Sequence, residues 1–483
     1  MFMRQIFDDK LAQYAYLIGC QQTGEAIVID PERDVDRYVD IAEANDLRIV
    51  ASAETHIHAD FLSGSRELAE RFGARLFVSD EGDADWKYEW VKDGDYDTRF
   101  LKDGDEFRIG HILFTVVHTP GHTPEHISFL VTDLGGGASE PIGMLTGDFV
   151  FVGDVGRPDL LEKAARIEGA MEPSARRLHG SITEFLDLPD FIQVWPAHGA
   201  GSACGKALGA VPESTVGYEK RFSPAIDFAR RGEDDFVEFI LSGQPEPPMY
   251  FARMKRDNKL GVRVLGTLPA PGRLSADELG ELAGRPDAVV IDARPSRSDF
   301  MAAHLPGSLY APLDSSFNTV VGSLVADETQ PIYLILDEED VEEAVRDLVR
   351  IGYDNIVGYA EPESLQRYFR SGGESARIEE IDLERMRELA IEGSGHVLDV
   401  RYASEFDAGH VPDAVNAAYT RLPDSLENLP ADRPLLVHCQ TGRRAAAASA
   451  FLARNGFDVR YVNDVWTSYA AKHEVVRGEP VLA

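Results

Sequence analysis

The chain has 483 residues, of which 83 are acidic and 48 basic, giving a formal net charge of −35. At about 150 residues per domain, this length predicts two to four domains. The 44% share of hydrophobic residues excludes a wholly disordered chain. A net negative field of this size disfavours nucleic acid and anionic membrane as partners.

The apolar runs and the cysteines of the chain bear on its location and redox state. No stretch approaches the roughly 18 apolar residues that span a bilayer. Met1–Tyr16 mixes charged residues into its apolar ones, unlike a signal peptide. We therefore expect a cytoplasmic protein without a membrane partner. Three cysteines (Cys20, Cys204 and Cys439) cannot form a disulfide framework, which indicates free thiols.

Short apolar runs bounded by turn residues recur over the first 200 residues and predict β-strands. These strands are Ala15–Cys20, Glu25–Asp30, Arg48–Glu54, Arg75–Ser79, Ile112–His118, His126–Thr132, Ile142–Thr146 and Phe191–Pro196. Helical spacing of apolar residues lies between them at Val35–Asn45 and Ser65–Phe72. The alternation predicts a layered α/β domain. Pro/Gly clusters at Ser242–Pro248 and Gly266–Gly272 predict that it ends near residue 260.

The remaining part contains an internal repeat. Val289–Leu313 (VVIDARPSRSDFMAAHLPGSLYAPL) matches Val397–Tyr419 (VLDVRYASEFDAGHVPDAVNAAY). Further matches follow at a nearly constant offset of roughly 100 residues, which is a normal domain size. Strand and helix signals alternate in both copies, so each is predicted to form a parallel α/β sheet.

Four histidine and aspartate clusters follow predicted strands of the first domain. They are Thr55–Asp60 (THIHAD), His118–Thr123 (HTPGHT), Thr146–Asp148 (TGD) and Pro196–Gly199 (PAHG). A single buried histidine is more often a hydrogen-bonded residue than a ligand. Four such clusters, each at a strand end, instead predict a metal centre.

These elements, in this order and spacing, resemble the metallo-β-lactamase fold over about residues 1–260. The resemblance implies an αβ/βα sandwich with two metal positions. One is matched by His56, His58 and His122, the other by Asp60 and His198, and Asp148 matches the bridging carboxylate. Phe61 stands where the family pattern has a histidine ligand. We therefore expect the second position to be lost and one metal ion to bind per chain.

The remaining ligand set is similar to that of the persulfide dioxygenase branch of this fold. The resemblance implies one Fe(II), rather than zinc, held by His56, His122 and Asp148, a two-histidine-one-carboxylate set. His58, Asp60 and His198 would then orient ligands or substrate through hydrogen bonds. The implied reaction converts a thiol persulfide and O2 to thiol and sulfite.

Several other residues of this domain are candidates for function. Cys204 follows the His198 loop and is either a sulfur carrier or an inert buried residue, and both roles stay open. Arg253, Lys255 and Arg256 form a basic island that is either a solvated charge run or a site for the carboxylates of a low-molecular-weight thiol. We expect Arg157 to form a structural ion pair and Cys20 to be structural.

The C-terminal segment Pro434–Ala445 (PLLVHCQTGRRA) runs from a buried strand into Cys439, a short loop and an Ala-rich helix. Backbone N–H groups at a helix start, together with nearby arginines, favour a thiolate. The pattern C-x-x-G-x-R, with DxR and GHxP upstream, resembles the rhodanese sulfurtransferases over about residues 380–483. The resemblance implies that Cys439 carries a persulfide and that Arg444 assists it. Gln440, Thr441, Gly442 and Arg443 complete the implied catalytic loop, and Arg401 upstream is given at most a role at its entrance.

The first copy has Asp337 where the second has Cys439. Its acidic loop lacks the glycine and both arginines, and would repel an anionic sulfur species. We expect a rhodanese-like domain without activity that serves as a scaffold.

Three domains are therefore predicted within an α/β fold class: residues 1–260, 270–375 and 380–483. The first is the metallo-β-lactamase sandwich, and the other two are rhodanese-like domains with parallel sheets. The whole is expected to be a persulfide dioxygenase fused to a sulfurtransferase that uses sulfite or thiosulfate in sulfide oxidation, and to form a homo-oligomer. One alternative is a zinc-dependent thioester hydrolase of the glyoxalase II type fused to a rhodanese. Another is a non-catalytic sulfur carrier or sensor.

Overall fold

The computed structural model describes residues 1–164, 167–206 and 208–478. Packing divides the chain into two compact units. The first comprises Met1–Gln244, Tyr250–Thr267 and Val349–Gly352. The second comprises Pro245–Met249, Leu268–Leu348 and the chain from Tyr353 onward. The first unit contains the four histidine and aspartate clusters, and the second contains both copies of the repeat.

The first sheet of the first unit consists of β1 (Phe2–Asp8), β2 (Gln13–Cys20), β3 (Glu25–Ile29), β4 (Arg48–Ala53), β5 (Arg75–Ser79) and β6 (Thr98–Leu101). Its strand order follows the chain. The first two pairs are antiparallel, and β3 to β6 run parallel to one another.

The second sheet consists of β7 (Glu106–Ile109), β8 (Ile112–His118), β9 (Ile127–Asp133), β10 (Gly143–Gly147), β11 (Gln193–Pro196) and β12 (Ser214–Thr215). Its order also follows the chain, and β10 and β11 are its parallel pair. Alternating apolar residues of both sheets meet in one buried core that includes Tyr16, Ile18, Phe77, Phe114 and Phe129.

Helices cover the outer faces of both sheets. They are α1 (Asp36–Glu43), α2 (Ser65–Phe72), α3 (Glu89–Asp93), α4 (Leu160–Lys163), α5 (Met171–Phe185), α6 (Val216–Phe222), α7 (Pro224–Arg231), α8 (Glu233–Leu241) and α9 (Phe251–Leu260). Val35, Tyr38 and Leu68 bury the first sheet, while residues of α5, α7 and α8 bury the second. The predicted αβ/βα sandwich is confirmed.

Both copies of the repeat form a parallel sheet in the second unit. The first copy contains β13 (Gly272–Arg273), α10 (Ala276–Gly280), β14 (Val289–Asp292), α11 (Arg297–Ala302), β15 (Leu309–Tyr310), α12 (Phe317–Leu324), β16 (Ile332–Ile335), α13 (Val341–Arg350), β17 (Ile356–Ala360) and α14 (Pro362–Arg370). The second contains β18 (Glu379–Ile381), α15 (Leu383–Ile391), β19 (His396–Asp399), α16 (Ala403–Ala408), β20 (Val415–Asn416), α17 (Leu422–Ser425), β21 (Leu435–His438), α18 (Arg443–Arg454), β22 (Val459–Val462) and α19 (Trp466–Ala470).

The strand order is the same in the two copies: β13-β17-β16-β14-β15 and β18-β22-β21-β19-β20. This agreement is what two copies of one sequence pattern predict. Among the described residues, no helix is long and apolar enough to cross a membrane.

Candidate metal centre and cysteine site

The predicted metal ligands lie where strands of the two sheets end. His56, His58 and Asp60 follow β4, whereas His122 lies in the loop between β8 and β9. Asp148 and His198 follow the parallel neighbours β10 and β11. Because these strand ends share one edge of the sandwich, side chains distant in sequence come together there.

His56, His122 and Asp148 form the first group. All three are buried, and each offers one ligand atom within 4.8 Å of the other two. His122 Nε2 lies 3.5 Å, and His56 Nε2 4.0 Å, from Asp148 Oδ2. The structure therefore gathers the two histidines and the carboxylate of the predicted set.

Hydrogen bonds on the far side of each ring fix which nitrogen faces this group. The hydroxyl of Thr55 donates to Asp30 Oδ2 at 2.9 Å, so its oxygen is left to accept from His56 Nδ1 at 3.0 Å. His122 Nδ1 donates to the backbone carbonyl of Arg157 at 3.2 Å. In both rings Nε2 then keeps its lone pair, which is the form that binds a metal.

The electrostatics of the group suit a cation. Burial lowers the pKa of His122 to about 3 and places that of His56 well below its usual range, so both rings are neutral. Burial also raises the pKa of Asp148 to about 6. Neither oxygen of the Asp148 carboxylate has a hydrogen-bond partner among the described residues. A buried carboxylate facing two lone pairs is costly unless a cation binds there, so these residues fit a metal ion.

His58 belongs to a different buried group, with Asp30 and Glu54. Its Nε2 lies 3.1 Å from both Asp30 Oδ1 and Glu54 Oε2. Burial opposes the charged ring, but the two carboxylates outweigh it and raise the pKa of His58 well above its usual range. The Phe61 ring packs against His58 with centroids 4.3 Å apart.

Asp60, His198 and Cys204 form a second buried group, again with ligand atoms within 4.8 Å of one another. His198 Nε2 lies 3.3 Å from Asp60 Oδ2 and 3.4 Å from Asp148 Oδ1. Burial raises the pKa of the Cys204 thiol well above its usual range. Cys204 thus places a third potential ligand beside Asp60 and His198, at the position that lacks a histidine because residue 61 is phenylalanine. The expectation of one ion per chain was based on the ligand lost at Phe61. With Cys204 in this group, the number of ligands no longer limits the chain to one ion.

A small cavity opens beside His122 and is lined by Ile57, Trp86, Leu160, Leu161, Phe251 and Lys255, among others. Lys255 Nζ lies 3.7 Å from the centre of the Trp86 ring, and burial lowers its pKa. The other two members of the basic island point elsewhere. Arg253 donates to the carbonyl of Ile351 at 2.8 Å, and Arg256 pairs with Asp257 at 2.8 Å. Only Lys255 of the three lines this cavity.

Arg157 has the structural ion pair that its sequence context predicts. Its buried guanidinium donates to both oxygens of Asp159 at 3.0 and 2.7 Å. It also donates to the carbonyl of Ala203 at 2.9 Å. These bonds connect the His122 partner Arg157 to the residue before Cys204.

Cys439 follows β21 and is buried, with 2% of its surface exposed. The backbone N–H of Ala445, in the first turn of α18, points at its Sγ from 3.4 Å. Gly442 has φ +83°, and a Cβ there would lie 2.9 Å from the Tyr461 hydroxyl. The left-handed turn at residue 442, packed against Tyr461, therefore favours glycine at this position of the loop between Cys439 and α18.

The arginines of this loop have acidic partners. Arg444 forms a two-pronged pair with Glu405 at 2.6 and 2.8 Å. Arg443 Nη2 lies 2.5 Å from Asp314 Oδ1 of the first copy. In that copy, Asp337 occupies the position that corresponds to Cys439 and precedes the acidic turn Glu338–Asp340.

The Asp and Arg of the upstream motif form the same contact in both copies. Arg401 donates to both oxygens of Asp399 at 3.0 and 2.6 Å and to the carbonyl of Gly409 at 2.8 Å. Arg294 does the same with Asp292, at 2.8 and 2.7 Å, and with Ala303, at 3.1 Å. Arg401 is buried, which places it in the protein interior and not at an entrance.

Several residues of the metal region were not singled out from the sequence. Asp30 and Glu54 bind His58, and His126 binds the backbone of Asp148. His126 could have been noticed because it follows His122 by four residues in a region rich in histidine. Asp30 and Glu54 are ordinary strand-end residues without a distinctive pattern.

Comparisons with known proteins agree with this geometry. A model described as the metallo-beta-lactamase superfamily matches residues 8–198, and a rhodanese-like domain model matches residues 382–472. A crystal structure of a metallo-beta-lactamase from Staphylococcus aureus is 41% identical, with a TM-score of 0.66. The match covers 75% of this chain and 98% of that one. The chain belongs to the metallo-β-lactamase superfamily. Its fusion to a C-terminal rhodanese-like domain, predicted from the sequence, is confirmed.

Two curated relatives of this metallo-β-lactamase superfamily member have different activities. A mitochondrial persulfide dioxygenase of Bos taurus is 28% identical over 202 residues, 41% of this chain and 68% of the relative. A hydroxyacylglutathione hydrolase of Haemophilus influenzae is 26% identical over 214 residues, 42% of this chain and 87% of the relative. The matched relatives of this family therefore include both a dioxygenase and a hydrolase.

Proposed function

We propose that this protein is an iron-dependent persulfide dioxygenase fused to a rhodanese-type sulfurtransferase. The observation that supports this proposal best is the buried group of His56, His122 and Asp148. Two neutral imidazoles and one carboxylate on one side of an ion are the ligand set of non-haem Fe(II) oxygenases. The similarity to a persulfide dioxygenase agrees with that set.

The proposed reaction converts a thiol persulfide, O2 and water to the thiol, sulfite and two protons. A bound ferrous ion would supply O2 activation and open positions for substrates. Thr55 and the Arg157 carbonyl keep both imidazoles in the metal-binding tautomer. Trp86, Leu161 and Phe251 exclude water from the cavity beside His122, and Lys255 offers a cation to a carboxylate of the thiol.

The second activity is assigned to Cys439. Its sulfur would attack the outer sulfur of a donor such as thiosulfate, forming an S–S bond while the donor's S–S bond breaks and sulfite leaves. Attack of sulfite on the resulting persulfide would reverse the step. The Ala445 N–H points at this sulfur, and Arg444 stands on the same helix beside it. The first copy, with Asp337 and an acidic turn, is assigned no sulfur chemistry.

Metal analysis and oxygen uptake test the proposal together. Protein purified without oxygen should hold iron at the first group and consume O2 when glutathione persulfide or another persulfide is added, with sulfite as product. Asp148→Ala should lose both iron and oxygen uptake. Asp190→Ala, which removes an exposed carboxylate of the same unit, should lose neither. Iron-loaded protein that consumes no O2 with any persulfide offered would exclude the dioxygenase.

A zinc-dependent thioester hydrolase remains the second candidate. It is favoured by the second group, Asp60, His198 and Cys204, and by the similarity to a hydroxyacylglutathione hydrolase. Hydrolysis of a glutathione thioester by the zinc-loaded protein would support it. One iron and no thioesterase activity would support the dioxygenase.

A further inference from the structure

His126 lies at the metal centre but has no place in the proposed reaction. Its side chain is fully buried, and it follows the loop that carries His122 and precedes β9. Its ring stacks on that of His56 with centroids 5.1 Å apart and planes 29° apart. It is not one of the three residues whose ligand atoms form the first group.

The contacts of His126 define its tautomer. The backbone N–H of Asp148 donates to His126 Nε2 at 3.0 Å, so this nitrogen must carry the lone pair. The ring hydrogen is then on Nδ1, which lies 2.8 Å from the hydroxyl oxygen of Thr119. An imidazole in this state is a donor on one side and an acceptor on the other.

The hydrogen bonds continue in one direction beyond the ring. The Thr119 oxygen accepts from His126, so its own hydrogen is available for Ser128 Oγ at 2.8 Å. Ser128 in turn donates to the carbonyl of Thr146 at 3.5 Å. The chain of bonds thus begins at Asp148 and ends at Thr146, two residues earlier. It holds both sides of Gly147.

Gly147 allows this arrangement. It has φ +52°, and a Cβ there would lie 2.6 Å from His126 Nε2 and 2.7 Å from Thr55 Oγ1. Any side chain would therefore displace the ring from the turn. The imidazole of His126 and the hydroxyl of Thr55 can approach this turn because residue 147 has no side chain.

We propose that His126 is a positioning residue that sets the direction of the Asp148 carboxylate toward His56 and His122. This inference is based on the proposed iron site. No hydrogen bond holds the Asp148 carboxylate among the described residues, so its direction depends on its backbone. The backbone on either side of Gly147 is held by the bonds that run through His126. A substitution that removes these bonds should therefore weaken metal binding although all three ligands are still present.

The test is the affinity of the metal-free full chain for Co2+, measured by competition with a chelator, together with the absorption spectrum of bound Co2+. His126→Leu removes both hydrogen bonds while filling the space. Partners of metal ligands typically contribute 10–100-fold in affinity, so we expect a loss of about that size and a changed spectrum. His126→Gln keeps an acceptor near the position of Nε2 and should recover much of the affinity. His179→Leu is the matched control because it removes a partly buried imidazole whose Nε2 bonds to the Ala229 carbonyl of the same unit. It should bind Co2+ like the wild type.

Unchanged Co2+ affinity and spectrum in His126→Leu would overturn the inference. If that variant does not fold, Thr119→Val tests the same chain of bonds by removing the acceptor of His126 Nδ1. A smaller loss in the same direction supports the inference, and no loss refutes it. The measurement uses neither persulfide nor O2, so its result does not depend on whether the proposed dioxygenase reaction takes place. Wild type that binds Co2+ but consumes no O2 would refute the dioxygenase while leaving the role of His126 to be decided by affinity.

Discussion

The Asp148 carboxylate should oppose folding of the metal-free protein. Burial raises its pKa from 3.8 to about 6, and neither oxygen has a hydrogen-bond partner among the described residues. A raised carboxyl pKa means that the folded state favours the protonated form. Stability is then lost as pH rises from about 4 toward 6, and the loss is complete above that range. At 1.36 kcal/mol per pKa unit, the cost at neutral pH is about 3 kcal/mol.

Asp148→Asn should therefore stabilise the metal-free protein while abolishing tight metal binding. The neutral amide removes the cost of the buried charge, and its N–H can donate to His122 or His198, whose Nε2 atoms lie 3.5 and 3.4 Å from the carboxylate. For a unit of this size, about 3 kcal/mol corresponds to a rise in Tm of about 6–12 °C. At about pH 4.5 the gain should shrink, because the wild-type carboxyl is then largely protonated in the folded state.

The assay is thermal unfolding of EDTA-treated wild type and variant at both pH values. Asp159→Asn is the control of opposite sign. Burial opposes ionisation of Asp159, but its pair with Arg157 outweighs that and lowers its pKa, so the amide should destabilise. If metal-free Asp148→Asn unfolds at or below the wild-type temperature at neutral pH, the reasoning about the buried charge is wrong.

Four further outcomes are expected. Cys439→Ser should abolish sulfur transfer and thiosulfate formation but leave oxygen-dependent oxidation of added persulfide intact, as followed by sulfite and thiosulfate analysis; loss of oxygen uptake would show that the two sites act as one. Asp337→Ala should change neither activity in the same assays. Co2+ affinity should fall about tenfold per pH unit below pH 6, because a proton then competes at Asp148; a titration that is flat down to pH 5 would contradict this. Excess Zn2+, unlike Fe2+, should load a second ion that Cys204→Ala removes, since thiolate ligands favour zinc; equal zinc content in both proteins would exclude Cys204 as a ligand.

The metal centre could be predicted because its four clusters each follow a recognisable strand. Strand ends that face one edge of a layered fold converge, so THIHAD, HTPGHT, TGD and PAHG were expected to meet. The choice of His56, His122 and Asp148 as the ligand set rested instead on the resemblance to the persulfide dioxygenase branch. The strand β1 was not predicted. It is an edge strand with only one buried face, so polar residues such as Arg4 and Gln5 interrupt its apolar pattern.

The neighbours of the ligands could not be predicted in the same way. Cys204 lies in a loop, and a loop's path depends on contacts such as the bond from Arg157 to Ala203, which no local pattern encodes. The basic island on α9 shows a related limit. Successive helical residues point about 100° apart, so Arg253 and Lys255 face nearly opposite directions, and only Lys255 lines the cavity beside His122.

The matching Asp–Arg pairs of the two repeat copies indicate that this part of the motif is required by the fold and not by the reaction. Asp292 with Arg294 keeps the geometry of Asp399 with Arg401, although the first copy has Asp337 in place of a cysteine. Selection on sulfur chemistry cannot account for a contact that persists where there is no sulfur. The pair instead joins a strand end to the turn after the next helix. A survey that counted sulfurtransferases by this upstream motif would score this chain twice, whereas one that required the cysteine loop would score it once.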